Sequence, residues 1–196
     1  MITDGSRSVY FDRRFDIKNS MSRGLPMLLI PPILLAVVLY LHNFYFLEYV
    51  HVVSGSMWTG MDLIMGLFFS YVMKGLNNAE KTNISMRLTP TMLFFMPSIS
   101  SVTITAGIYL AISMHIPFSS PYIIVALVIA FALLIQGIGI FLPNELRVYN
   151  EILHGAKDKD KIIRLTMFNL RLSLSQVILQ IAIIALMAHF ATGGLL

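Results

Sequence analysis

The chain contains no cysteine. Disulfide bonds, cysteine zinc sites, iron–sulfur clusters and thiol chemistry are therefore excluded. Charge is scarce as well. Only 12% of the 196 residues are Asp, Glu, Lys or Arg, against about 25% in an average soluble domain. Ten acids and fourteen bases cannot cover a soluble globule of this size, so a soluble enzyme is excluded. A hydrophobic content of 57% excludes a disordered chain. The net charge of +4 invites a nucleic-acid reading, but the placement of the bases explains it otherwise, and no nucleic-acid partner is expected. What the chain does hold is long apolar runs, with a mean hydropathy of +0.77.

A helix crossing a membrane takes roughly 20 mostly apolar residues. Five runs fit: about residues 25–41, 49–73, 88–114, 122–142 and 165–190. They are continuous rather than alternating, which argues against a β-barrel. The first run is expected to be an anchor and not a signal peptide, because a polar, charged stretch precedes it and no small-residue cleavage site follows. His42-Asn43-Phe44 and Ser119-Ser120-Pro121 read as tight turns. Gly75-Leu76-Asn77-Asn78 ends the second helix, and Pro143 closes or kinks the fourth. The expectation is an all-α integral membrane protein, a bundle of five transmembrane helices. Residues 1–24 form a cytoplasmic N-terminal segment. Residues 25–192 form a single membrane domain whose charged connector, about 143–164, is also cytoplasmic and continues in part as a helix.

The bases set the orientation. Arg7, Arg13, Arg14, Lys18 and Arg23 precede the first run. Lys74, Lys81 and Arg87 follow the second, and Arg147, Lys157, Lys159, Lys161, Arg164 and Arg171 surround the last connector. None falls at the opposite ends. The positive-inside rule then puts the N-terminus in the cytoplasm and the C-terminus outside, in a multi-pass protein of the cell membrane. The lipid bilayer is its first partner, with some attraction to anionic lipid.

Folding that topology collects histidines. His42, His51, His115 and His189 belong to four different helices and fall toward the outer side, while His154 is cytoplasmic. Imidazole is the commonest metal ligand and an axial ligand of haem in helical bundles. Histidine is also at ease at a membrane interface, and His42, beside Asn43, reads as such a bystander. His51 stands apart because of the face it begins. At 100° per residue His51, Gly55, Trp58, Asp62 and Gly66 share one stripe. The glycines leave room for a flat macrocycle or for another helix. His51, His115 and His189 are the candidate ligands of a haem or a metal ion, with Gly55 and Trp58 beside them. Met114 next to His115 is a weaker candidate for copper or iron.

Asp62 is the most costly residue in the sequence. It lies roughly 18 Å from Lys74 along a helix, close to mid-membrane, where an acid costs at least about 2.5 kcal/mol to insert. It must face the bundle interior with a partner: Arg171, or a polar group such as Gln176, Gln136, Thr103 or Thr105. It is a candidate proton relay, cation site or substrate anchor, and its alternative is a hydrogen bond that fixes helix register. The third run carries Ser98, Ser100, Ser101, Thr103 and Thr105, hydroxyls that can bond back to their own helix. The Asn83-Ile84-Ser85 sequon falls on the cytoplasmic side and is discounted as a glycosylation site.

The segment His51-Val-Val-Ser-Gly-Ser-Met-Trp58-Thr-Gly60 resembles the "His, apolar run, Trp-x-Gly" signature of small multi-helix membrane haem proteins. These include the copper-resistance D (CopD) family, the HemJ-like protoporphyrinogen oxidases and the membrane domain of bacterial urate oxidases. The block from Arg87 through Pro97 to Gly107 resembles their following helix. Leu142-Pro143-Asn-Glu145-Leu-Arg147, with Gln176 and Gln180, is similar to an integral-membrane branch of the same group. The likeness spans roughly residues 47–190 and rests on short motifs. It implies haem b with His51 as an axial ligand and Trp58 and Gly60 as packing elements. Two departures matter. No Lys lies inside a span, which counts against protoporphyrinogen oxidation, and no Met/His-rich outer stretch marks a dedicated copper importer.

The expected function is thus that of a haem b-binding membrane protein, with His115 or His189 opposite His51. It would transfer electrons with quinone or as a subunit of a larger membrane redox complex, in contact with other membrane subunits or further copies of itself. Whether it is itself an oxidoreductase stays open. The alternatives are a metal-ion (copper) or proton transport component built on Asp62 and the outer histidines, and a cofactor-free structural subunit.

Overall fold

A computed structural model describes residues 17–192, and every regular element among them is a helix. Helix α1 is Ile17–Leu41. Helix α2, Phe44–Leu63, runs through a π-helical stretch, Ile64–Phe69, into α3, Ser70–Gly75. Helix α4 is Asn78–Ser113. Helix α5, Pro121–Gln136, passes through a second π-helical stretch, Gly137–Phe141, into α6, Leu142–Leu153. Helix α7 is Lys159–Ala191. Five of the resulting rods are long and apolar enough to cross a membrane: Gly24–Leu41, Phe44–Gly75, Asn78–Ser113, Pro121–Leu153 and Lys159–His189. Most of the expected N-terminal segment, residues 1–16 with Arg7, Arg13 and Arg14, lies outside the described residues. The rest of it is helical, the opening turns of α1.

The rods outrun the apolar runs at one end. Polar residues from Asn78 to Arg87, from Leu142 to Leu153 and from Lys159 to Arg164 extend three helices beyond the apolar stretch. The connector about 143–164 is therefore mostly helix. Its irregular part is residues 154–158, where Gly155 (φ +89°) and Ala156 (φ +51°) turn the chain through left-handed geometry. Lys161 ties the turn down by an ion pair with Glu151 at 3.2 Å.

Side chains set the other boundaries. Asn43 accepts from the Phe46 N–H to start α2. Asn77 and Glu80 form a reciprocal capping box at the start of α4, and Pro121 opens α5 at a position where its missing N–H costs nothing. Prolines inside the rods have compensations. Pro32 has no N–H for the Leu28 carbonyl four residues before it, and Ser98 of α4 donates to that carbonyl at 2.8 Å. Pro143 likewise deprives the Gly139 carbonyl of its α-helical donor, and the chain relaxes there into the π stretch, with the Leu142 N–H reaching back to Gly137. The fourth rod is thus bulged by its proline and not closed by it.

Helix α4 is the axis of the bundle and packs against α1, α2, α6 and α7, while α7 packs against α2, α4, α5 and α6. Leu35, Val38, Leu47, Val50, Val102, Ala106 and Leu110 bury the α1–α2–α4 contact. Trp58, Ile99 and Leu133 join α2, α4 and α5. Val148, Ile152, Ala156 and Ile162 close the connector end. Large apolar side chains such as Ile30, Phe68, Val128, Phe131 and Ile178 cover the outside, the arrangement a lipid solvent requires.

Candidate functional site

Asp62 faces inward, 1% exposed. Gln180 of α7 donates to its Oδ2 at 2.8 Å, and Trp58, one turn earlier on α2, and Ser173 of α7 also hydrogen-bond to it. The cation Arg171, one of the expected partners, is not among these groups: it sits on the exposed face of α7. The reason is helical phase. Arg171 is two residues from both Asn169 and Ser173, which places it off the stripe that those two residues share. Gln176 is buried at 3% exposure on that stripe. Gln136 contacts α7 through Ser175 instead, and Thr103 serves His51.

The stripe itself is the main feature of the site. Thr166, Asn169, Ser173, Gln176 and Gln180 follow one another at steps of three and four, and all five are buried. Such spacing makes one continuous seam along a helix, and here polar side chains fill positions that an ordinary bundle gives to Leu. At the connector end of the seam, Asn144 donates to Asn169 Oδ1 at 2.9 Å, and Asn169 donates to Glu145 Oε1 at 2.9 Å. Thr89 of α4 hydrogen-bonds to Glu145 as well. The seam thus links two inward-facing carboxyl groups. The distance along α7 from Asn169 to Gln180 is roughly 16 Å. The sequence reading had no role for Thr166, Asn169 and Ser173, and named Glu145 only within the Leu142–Arg147 block of the resemblance. The three-four spacing of polar residues in an apolar run was the signal that could have found the stripe.

His51 lies two turns inside α2, at the α2–α4 contact. Its Nδ1 donates to the Thr103 carbonyl at 2.9 Å, which leaves the lone pair on Nε2. The imidazole rests on Gly107, where an added Cβ would fall 2.8 Å from its Cε1. A Cβ on Gly55 would lie 3.3 Å from the Thr103 methyl. Gly55 therefore serves close approach of α4, and Gly66, whose Cβ would lie 2.9 Å from the Leu174 nitrogen, close approach of α7.

His51 and His115 are not brought together. Thr103 and Gly107, which hold His51, lie roughly 9–15 Å along the axis before the end of α4 at Ser113. His115 follows that end in an exposed turn with φ +54°. His189 stacks on Tyr122 of α5, ring centroids 4.1 Å apart. His42 donates to the Tyr40 carbonyl in an exposed turn, and Met114 is exposed. His115 therefore stands beyond His51, because α2 begins at Phe44 and not at His51. Among the described residues no three His, Asp or Glu side chains converge on a metal position. As a haem site, the residues supply one pre-oriented imidazole at His51; counted outward from the Asp62–Gln180 bond, His51 and His189 stand roughly 16 and 14 Å along their helices. The hydroxyls of α4 behave as structural groups: Ser100, Ser101, Thr103 and Ser113 donate to carbonyls three or four residues back.

No family model, no curated protein and no solved structure matches the chain.

Proposed function

We propose that this is a multi-pass protein of the cell membrane that moves protons along the buried seam of α7, with Asp62 as the proton-holding group at mid-membrane. The observation that carries this reading is the Asp62 carboxyl, fully enclosed and held by Gln180, Trp58 and Ser173 without a cation. Buried ionisable groups in membrane spans face bundle interiors and mark proton or ion routes. The seam offers hydroxyl and amide groups that accept and donate between Asp62 and the connector end. Orientation follows from the bases: the connector and the N-terminus are cytoplasmic and the C-terminus is outside.

Proton flux into liposomes tests the reading. The purified chain is reconstituted with an enclosed pH-sensitive dye, and a potassium diffusion potential drives the flux. The wild type is expected to acidify the lumen well above empty liposomes, and Asp62→Asn to fall to the empty-liposome rate. A wild type no faster than empty liposomes overturns the proposal.

A second reading keeps haem b, with electron transfer to quinone or within a larger membrane complex. It is favoured by the His51 tautomer, since Nδ1 bonded to a backbone carbonyl leaves Nε2 free for an iron. Bound haem would supply the electron chemistry, while His51 would hold and orient it. A Soret band in the purified protein that disappears in His51→Ala supports this reading, and a colourless wild type removes it.

A further inference from the structure

Three buried side-chain oxygens where α4, α6 and α7 meet have no hydrogen-bond partner: Ser85 Oγ, Glu145 Oε2 and Thr166 Oγ1. Register places them together. Thr89 of α4 and Asn169 of α7 both bond Glu145. Ser85 is one turn before Thr89, and Thr166 is one turn before Asn169, each on the same helix face as its neighbour. Ser85 is 0% exposed and Thr166 is 3% exposed. Serine and threonine inside membrane helices ordinarily bond back to their own helix, as Thr82 does with Asn78. Ser85 and Thr166 do not. Their helices meet at a carboxylate that the Asn144–Asn169 amide pair already anchors by its other oxygen.

Charge narrows what these oxygens serve. Glu145 makes no ion pair among the described residues. The two arginines nearest in sequence to Thr89 and Glu145, Arg87 and Arg147, are both exposed. An ionised carboxylate taken out of water needs a compensating positive charge. A proton on Oε2 would let the carboxyl donate to one hydroxyl and leave the other unpaired. A water would bridge the hydroxyls and leave the charge uncompensated. A small cation coordinated by oxygen atoms answers both needs. One carboxylate with neutral oxygens balances a single positive charge, and hard cations select oxygen ligands.

We propose that Ser85, Thr89, Glu145 and Thr166 form a binding site for a small monovalent cation of the sodium class at the connector end of the bundle. The site shares Thr166 with the end of the proton seam, but its occupancy by sodium does not rest on proton movement. The test reads sodium binding rather than proton flux, so either reading can fail alone.

The experiment uses the full chain in lipid nanodiscs in choline chloride, with NaCl or KCl exchanged in at constant ionic strength and the melting temperature recorded. Sodium is expected to raise the wild-type Tm in a saturable manner, and potassium to do so only at concentrations at least tenfold higher. Glu145→Gln is expected to abolish the sodium response, and Glu48→Gln, an exposed acid on α2, to retain it. Should Glu145→Gln not fold, Ser85→Ala serves: it removes one oxygen and is expected to raise the half-saturating sodium concentration several-fold. A wild type whose Tm ignores sodium overturns the proposal, as does a sodium response that survives unchanged in Glu145→Gln or Ser85→Ala.

Discussion

Gln180 and Asp62 are 118 positions apart in sequence and 2.8 Å apart in space. Their hydrogen bond joins the middle of the second rod to the last one, and both residues are almost wholly buried. Gln180 Oε1 has no partner of its own, so the amide is held there by the carboxyl alone.

The two side chains should therefore be energetically coupled. Gln180→Leu leaves a buried acid short of a donor and is expected to cost about 1–3 kcal/mol. Asp62→Leu combined with Gln180→Leu should cost less than the sum of the single changes, with a coupling of about 0.5–3 kcal/mol. Unfolding in mixed micelles measures each variant. Strictly additive losses would mean that the pair does not act as a unit.

The seat of His51 makes a second expectation. Gly107→Ala puts a methyl 2.8 Å from the imidazole, and the ring, pinned by Thr103, has to move. Overpacking of this kind costs about 1–3 kcal/mol, and the Nδ1 bond to Thr103 should break. Gly60→Ala is the control, because its Cβ would meet nothing within 4 Å, and its effect should stay within about 0.5 kcal/mol. Thermal melts give the stabilities, and the imidazole NMR resonances of His51 report the bond. Equal stability of the two variants would contradict the close α2–α4 contact.

The absence of cysteine makes topology directly measurable, since every introduced thiol reports alone. Ser119, between α4 and α5, and Lys157, between α6 and α7, are both exposed and lie at opposite ends of the bundle. With the connector cytoplasmic, Ser119→Cys should react with an impermeant maleimide on intact cells, and Lys157→Cys only after permeabilisation. The reverse pattern would invert the orientation. Labelling of both from one side would contradict the order of the spans.

The five rods were legible because a run of apolar residues has one stable solution in lipid, and turn residues such as Asn43 and Pro121 mark its ends. The cost of burying Asp62 was equally plain, and so was its need for a partner. The partner itself was not plain. Choosing Gln180 over Arg171 depends on which face of α7 turns inward, and the three-four polar stripe that Gln180 shares and Arg171 does not was the pattern to read. The grouping of His51 with His115 failed for a related reason. Counting from the polar turn at Asn43 would have put His51 two turns deep, whereas starting the apolar run near residue 49 set it at the surface. Ser85 and Glu145 were named only within a sequon and a motif block, since only tertiary packing brings their helices together.

The π-helical stretch Ile64–Phe69 governs the phase of everything beyond it. Buried residues Trp58, Asp62, Gly66 and Ser70 recur every fourth position. On an unbroken α-helix each four-residue step drifts by about 40°, so three steps would carry Ser70 about 120° around from Trp58. The wider π turn absorbs that drift and keeps Gly66 against the backbone of Leu174, where a Cβ would lie 2.9 Å from its nitrogen. The length of this rod is therefore constrained as tightly as its composition. Deleting a single residue between 64 and 69 would let regular winding return with Ser70 only about 20° out of line with Asp62, whereas inserting one would swing Ser70 about 100° away, a lesion that no loss of hydrophobicity would betray.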